Sequence, residues 1–205
     1  MRTILLTFCL FMGTILSAQN NVLAEIENAN AAYKVITGDF VRTQTNVAKG
    51  TSIKADGTLY IVGEDQMTQH YKAPSTDLLI INGNDFYMIR GKKTNKFNTE
   101  KNKTMRSLRN TLLYCVHGKP MELATENGAE ITAEKKEDEY EVVLISTKKT
   151  ARGYAKIVLT YDLKSKLLTK MRMDEYNGNS TLYEMNNLKT NGNIDAKMFD
   201  IPEKK

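Results

Sequence analysis

Hydrophobic positions change their spacing once near the start of the chain. Between residues 21 and 36 they recur at the three- and four-residue intervals of an amphipathic helix: Leu23, Ile26, Ala29, Tyr33 and Ile36. Asn20 or Asn21 can cap the start of this helix, and Gly38 is expected to end it. The sequence therefore predicts one helix ahead of a long region with a different pattern.

From Asp39 onward the apolar positions alternate with a period of two, which indicates β-strands. Asn-Gly-Asn occurs at 82–84, 177–179 and 191–193, and Asn-Gly supplies the positive φ angles of tight hairpin turns. Leu78–Ile81 should pair with Phe86–Arg90, and Leu168–Tyr176 with Thr181–Leu188. Asp56-Gly57 and Asn127-Gly128 are expected to form further turns.

A second helical pattern interrupts the strands at residues 104–117 and ends before Gly118 and Pro120. Its apolar stripe consists of Met105, Leu108, Leu112 and Cys115. The whole pattern predicts a mainly antiparallel β fold, with about ten or eleven strands and two or three helices in one domain.

The N-terminus has the features of a secretory signal peptide. Arg2 precedes an uncharged apolar run from Ile4 to Leu16, which is too short to span a bilayer of about 30 Å. Small residues follow at Ser17 and Ala18. We expect cleavage after Ala18, so that residues 1–18 are the signal and residues 19–205 form one exported domain. Cys115 is then the only cysteine left, and no disulfide can form within the chain.

Charge is segregated along the exported part. Residues 90–109 carry eight basic residues and one acid, whereas residues 122–141 carry eight acids and two lysines. Such asymmetry is typical of oriented docking on a charged surface, although two solvated faces explain it equally well. Export argues against nucleic acid as the partner.

Motifs of catalysis and metal binding are missing from the sequence. It contains two histidines and no P-loop, nucleophile elbow or dinucleotide fingerprint. Cys115 and His117 stand two residues apart in a predicted helix, where side chains point to different faces. We therefore expect no enzyme, no metal and no cofactor.

Several predicted strands are apolar on both faces, including Leu59–Val62, Leu78–Ile81 and Val142–Ile145. Two apolar faces need two covers. Helices can cover one face, and sheet curvature, an additional helix or a ligand can cover the other. The chain also has ten methionines, a residue that suits a wall accepting variable apolar groups but that also fills ordinary gaps in a core.

Five short motifs, in order and with matching spacing, resemble the periplasmic outer-membrane lipoprotein carriers of the LolA type. They are Gly38-Asp39-Phe40, Gly57-Thr58-Leu59-Tyr60, Tyr71-Lys72-Ala73-Pro74, Leu79-Ile80-Ile81-Asn82-Gly83 and Phe199-Asp200-Ile201-Pro202. The resemblance extends from about Val22 to Pro202 and implies an unclosed β-barrel lidded by helices, with an apolar cavity between them. It also implies a carrier in the Gram-negative periplasm, which accepts acylated lipoproteins from an inner-membrane ABC transporter and delivers them to an outer-membrane receptor.

Two features of that family pattern are missing. Tyr60 stands where the family usually has tryptophan, and residues 62–65 lack the arginine that ties the lid shut. Arg42 is the nearest alternative.

On this basis the sequence predicts a monomer that binds acyl chains. The expected cavity wall is formed by Phe40, Leu59, Ile61, Met67, Leu79, Ile81, Met88, Leu144, Leu159, Met171, Met173 and Met185, with Leu108 and Leu112 beneath the lid. The expected docking residues are Arg90, Lys92, Lys93, Lys96, Arg106 and Arg109. A lipid-sensing adaptor of the same fold, a carrier of a non-protein lipid and a lipid-modifying enzyme are the alternatives.

Overall fold

The computed structural model describes residue 19 and residues 21–148 and 153–201. The signal-peptide prediction for residues 1–18, the Asn20 cap and Pro202 of the last motif lie outside these residues. Within the described ranges, no helix combines the length and the apolar character that a membrane span requires.

Eleven antiparallel strands form a single sheet in the order β6-β5-β4-β3-β2-β1-β11-β10-β9-β8-β7. The strands are β1 (Val35–Asn46), β2 (Thr51–Val62), β3 (Gln66–Tyr71), β4 (Leu78–Asn82), β5 (Asp85–Arg90), β6 (Lys93–Asn98), β7 (Ala129–Lys135), β8 (Glu139–Ser146), β9 (Tyr154–Asp162), β10 (Leu168–Glu175) and β11 (Ser180–Thr190). Because β6 and β7 are the two edges and do not pair, the barrel is unclosed, and the predicted fold class is confirmed.

Three helices lie in the described part of the chain. They are α1 (residues 21–31), α2 (Lys103–Val116) and α3 (Pro120–Asn127). A short 3₁₀ turn, Ala196–Phe199, follows the last strand. The side chain of Asn102 caps α2 by accepting a hydrogen bond from the amide of Met105, and Pro120 begins α3 at a position where no amide donor is needed.

The prediction of a first helix reaching residue 36 is wrong, because β1 already begins at Val35. Ile36 fits the helical spacing, but its place in the structure is opposite Ile61 of β2 and Thr190 of β11. Val35 and Ile36 are β-branched, and such residues favour strands over helices. In β1 their backbone groups lie between β2 and β11 and find hydrogen-bond partners there, which the last turn of a helix does not offer to its carbonyl groups. Gly38 therefore lies inside a strand.

Two of the predicted hairpins are confirmed, with Leu78 opposite Ile89 and Met171 opposite Tyr183. Gly83 and Gly178 have the positive φ angles that these turns demand. The expected turn at Asp56-Gly57 is wrong, because Gly57 lies in the middle of β2. A Cβ atom there would come within 2.8 Å of the Phe40 ring and 2.2 Å of the His70 carbonyl oxygen. A glycine at this position therefore lets the Phe40 ring and β3 pack directly against the backbone of β2.

Both apolar faces of β4 are covered. Leu79 and Ile81 face the main core, whereas Ile80 lies in a second cluster with Tyr87 and Ile89 on the outer face. Phe199 of the 3₁₀ turn packs on that outer cluster. His70 next to it is half-buried and shares a hydrogen bond of 2.9 Å with the carbonyl oxygen of Met198. The chain's own C-terminal segment therefore covers the outer face of β4, whereas the outer face of β8 is partly exposed, with Ile145 52% exposed.

Candidate functional site

The fourteen predicted cavity residues lie in, or pack against, one apolar cluster between the helices and the inner face of the sheet. Twelve are at most 9% exposed, and Met88 and Leu108 are partly buried against the same cluster. The strands place them there because residues two apart share a face, as Leu59 and Ile61 do on β2. Their role in binding a ligand stays a prediction, but their common location is established.

The helices cover this inner face with their own apolar stripes. Ile26 of α1 and Leu112 and Cys115 of α2 are fully buried in the cluster. Since residues three and four apart lie on one helical face, a few turns of each helix suffice to cover the strands.

The sequence reasoning missed two of the largest buried side chains, Tyr140 of β8 and Tyr161 of β9. Both alternate with apolar residues on the same face, and that period-two signal could have identified them. The Tyr161 hydroxyl donates a hydrogen bond of 2.9 Å to the carbonyl oxygen of Cys115, which joins the end of α2 to the sheet.

The interior is closely packed in this structure. A void of about 10 Å³ lies between the strands and the end of α2, lined by Ile36, Leu59, Ile61, Val116, Leu167, Leu168, Met185 and Leu188. That space suffices for about one water molecule. An acyl chain can enter only if the helices or the side chains beneath them move.

The core reaches the surface beneath the first half of α2. Two adjoining clefts of about 220 Å³ and 450 Å³ share Ser107, Gly153 and Tyr154. Leu144 lines the first cleft and Leu108 lines the second, and both residues also belong to the apolar cluster or pack against it. We call this pair of clefts the α2 cleft.

Polar side chains tie α2 to the rim of the sheet. Arg109 Nε donates a hydrogen bond of 2.7 Å to the carbonyl oxygen of Gly83 in the β4–β5 turn. Arg106 donates to the carbonyl oxygens of Thr99 and Glu100, at 3.0 and 2.6 Å. Both arginines were predicted to dock on an acidic transporter surface or on anionic head groups, and in the structure their guanidinium groups hold the helix in place.

Other polar contacts join the remaining helices to turns of the sheet. Asn30 of α1 donates a hydrogen bond of 2.8 Å to the carbonyl oxygen of Lys166 in the β9–β10 turn. Lys119, between α2 and α3, lies 3.2 Å from a carboxylate oxygen of Glu64 in the β2–β3 turn. Glu64 thus occupies part of the segment where the family pattern has its lid arginine. Because the Glu64 side chain is 82% exposed, this ion pair contributes little on its own.

The remaining predicted docking residues are exposed on the β5–β6 hairpin: Arg90, Lys92, Lys93 and Lys96. We call these four residues the basic hairpin. Lys96 forms an ion pair of 2.7 Å with Asp85, and Arg90 lies 3.9 Å from Asp77. Lys92 and Lys93 are in no ion pair with another described residue, so the hairpin keeps an excess of positive charge.

Cys115 and His117 are both buried at the end of α2. Burial raises the pKa of the Cys115 thiol well above its usual range, so the group stays protonated at neutral pH. Burial, and to a lesser extent the charge of Lys119, lowers the pKa of His117. Among the residues that the structure describes, no group of three or more His, Cys, Asp or Glu side chains could hold a metal ion.

Comparison with solved structures finds similar folds at low sequence identity. A domain described as an outer membrane lipoprotein-sorting protein from Vibrio parahaemolyticus is 14% identical, with a TM-score of 0.48, and the match covers 90% of this chain and 97% of that one. A LolA superfamily protein from Nitrosomonas europaea is 8% identical, with a TM-score of 0.44 and coverage of 90% and 98%. The lipoprotein LppX of Mycobacterium tuberculosis is 14% identical, with a TM-score of 0.42 and coverage of 86% and 99%.

Comparison with curated proteins gave no match. The model of one protein family, described as outer membrane lipoprotein carrier protein LolA, matches residues 31–202. This match includes every strand of the sheet together with α2 and α3. The chain therefore belongs to the LolA family of outer membrane lipoprotein carriers.

Proposed function

We propose that this protein is a periplasmic carrier that takes acyl chains of lipoproteins into its apolar core and moves them from the inner to the outer membrane. The observation that carries the proposal is the α2 cleft, where the apolar core reaches the surface beneath a helix. The family match supports the same function.

The energetics of acyl chains require an enclosed site. Burial of one methylene group is worth about 0.8 kcal/mol, so ten methylenes give about 8 kcal/mol and a dissociation constant near micromolar before other costs. A chain of that length does not leave a membrane for water unaided. A carrier must shield the chain and still release it, which a movable helix over an apolar sheet achieves.

The wall of the core suits a ligand of variable shape. Four methionines of the wall, Met67, Met171, Met173 and Met185, are at most 5% exposed. Methionine is unbranched and has three rotatable bonds, so it can repack around an inserted chain at low cost. Met185 also lines the small void of the interior.

The family match supports the partners in this proposal, and the signal peptide predicted at residues 1–18 supports export. In this proposal an inner-membrane ABC transporter loads the carrier, and an outer-membrane receptor unloads it. The basic hairpin supplies positive charge for docking on an acidic transporter surface.

The binding proposal is tested by a charged substitution in the core. Leu59→Arg should abolish acyl binding because it places an uncompensated charge inside the core. Ile53→Arg is the matched control, since Ile53 lies on the same strand but is 62% exposed. The measurement is the lipid that co-purifies with each variant, extracted and identified by mass spectrometry.

A second variant separates loss of binding from loss of the fold, because Leu59→Arg could unfold the protein. Leu108→Arg changes a half-buried side chain that lines the α2 cleft, and circular dichroism checks the fold of all variants. If both variants are folded and carry as much lipid as the Ile53→Arg control, the core is not the binding site.

The docking role is tested by reversing Lys92, Lys93 and Lys96 to Glu. Loading from the transporter should become slower and less dependent on salt, because charge complementarity acts mainly on the association rate. The same reversal at three exposed lysines elsewhere, Lys49, Lys54 and Lys170, is the control. Equal loading rates for the two triple variants would exclude the basic hairpin as the docking surface.

A further inference from the structure

Arg42 is a charged residue on the inner face of the sheet. It follows Phe40 by two residues on β1 and therefore shares the face of that buried ring. In the sheet it lies between Ala55 of β2 and Tyr183 of β11. Its guanidinium carbon stands 4.8 Å from the centre of the Tyr71 ring, a cation–π distance.

One donor of this arginine has no partner. Arg42 Nε is buried from solvent and makes no hydrogen bond. No carboxylate of the described residues lies within 4.0 Å of the guanidinium group. The Tyr71 hydroxyl beside it donates to Gln69 Oε1 at 3.2 Å. A buried charged donor without an acceptor is costly, which favours an acceptor that comes from outside the chain.

The space next to Arg42 is bordered by charged side chains and by residues of the apolar core. A pocket of about 40 Å³ is lined by the charged residues Arg42, Asp77 and Arg90 and by apolar residues that include Leu79 and Met88. Leu79 belongs to the core cluster and Met88 packs against it. Asp77 carries the negative charge of this pocket, and its nearest cation is Arg90 at 3.9 Å.

We propose that Arg42 binds the anionic headgroup, a phosphate or carboxylate, of a lipid whose acyl chain occupies the core. This inference rests on the proposed function, because it needs the acyl chain in the core, and it extends the cargo to lipids with an anionic headgroup. The planar guanidinium group offers several donors in a fixed fork that matches phosphate and carboxylate oxygens. Side chains that yield to an entering chain, such as Met88, would open the small pocket toward the core and give the headgroup room.

The test compares two ligands that share a chain and differ in the headgroup. Dodecyl phosphate and 1-dodecanol are titrated into the purified protein by calorimetry, with inorganic phosphate as a third ligand. We expect the wild type to bind dodecyl phosphate at least about tenfold more tightly than dodecanol, the scale of one charge-assisted hydrogen bond. Arg42→Gln should remove this preference and leave the affinity for dodecanol unchanged.

Two further variants check the assignment. Arg42→Lys keeps the charge and should retain part of the preference, whereas Arg172→Gln, an exposed arginine paired with Asp174, should retain all of it. Equal binding of both ligands by the wild type overturns the inference but leaves the carrier function standing, and so does an unchanged preference in Arg42→Gln. An equal loss of both ligands in that variant also overturns it.

Other outcomes separate the source of the anion from the function itself. Inorganic phosphate that binds as tightly as dodecyl phosphate, and loses that affinity in Arg42→Gln, would show a site for free phosphate and overturn the lipid assignment. A wild-type protein that binds neither dodecyl ligand would contradict the proposed carrier function together with the inference.

Discussion

At the scale of single residues, His117 makes the joint between α2 and α3 sensitive to pH. It is 8% exposed, and its Nε2 atom is buried without a hydrogen-bond partner. Burial and the neighbouring Lys119 lower its pKa, while Glu64 acts in the opposite direction with a smaller effect. The folded protein therefore favours the neutral imidazole.

A loss of stability at mildly acidic pH follows from this lowered pKa. The unfolded chain takes up the proton near the usual histidine value of about 6.5, and the folded chain only at lower pH. The contribution of His117 to the free energy of unfolding is therefore fully present above about pH 6.5, and it is lost as the pH falls toward the pKa of the folded state. Urea denaturation of the wild type and of His117→Gln between pH 8 and pH 5 measures it, and the variant should show a shallower decline. Parallel declines in the two proteins would assign the pH dependence to other groups.

Residue-scale expectations succeeded where alternation alone decides which way a side chain points. Leu144 and Met173 were placed in the core by their period-two neighbours, and both are 2% exposed. Arg42 and Arg109 could not be assigned this way, because their roles depend on partners distant in sequence. Gly83, the acceptor for Arg109, is 26 positions away, and nothing in the local pattern identifies it.

At the scale of elements, α2 is the helix whose movement the proposed function requires. The hydrogen bond from Arg109 to Gly83 fixes the middle of this helix to the β4–β5 turn. Arg109→Gln should weaken that attachment by about 1–2 kcal/mol, the usual range for a hydrogen bond from a charged group at a partly exposed site. Amide hydrogen exchange along α2 should accelerate, and uptake of an acyl ligand should become faster.

The matched control for this prediction is Lys103→Gln, which removes an exposed positive charge from the first turn of the same helix. Its exchange rates in α2 should stay close to those of the wild type. Faster exchange in both variants would mean that net charge, rather than the bond to Gly83, holds the helix.

The elements themselves were predictable to different degrees. The bounds of α2 are within one residue of those expected, because the apolar stripe and the stop signals Gly118 and Pro120 are clear. The sequence reasoning did not use Asn102, which caps the start of the helix. The sequence reasoning did not identify α3 and β7, which occupy a segment rich in acids. The apolar positions of β7 are Ala129, Ile131 and Ala133, and two of the three are alanines, which are a weak signal for a strand. As an edge strand, β7 also needs only one buried face.

At the scale of the whole molecule, the family resemblance and the apolar pattern together predicted an unclosed barrel covered by helices, and this prediction is confirmed. An open cavity was expected as well, but the interior is filled by the protein's own side chains. Sequence patterns define which residues face inward, but they do not define how far apart two packed layers stand. That distance depends on the rotamers of methionine and leucine and on whether a ligand is present.

The central claim is that an acyl chain enters this core beneath α2. Nuclear Overhauser contacts between a palmitoylated peptide and the methyl-labelled protein test it most directly. We predict contacts from the acyl methylenes to Leu59, Leu108, Leu144 and Met171. Contacts confined to the exposed methyl groups of Val47, Ile53 and Ile145, or no contacts at all, would contradict the account.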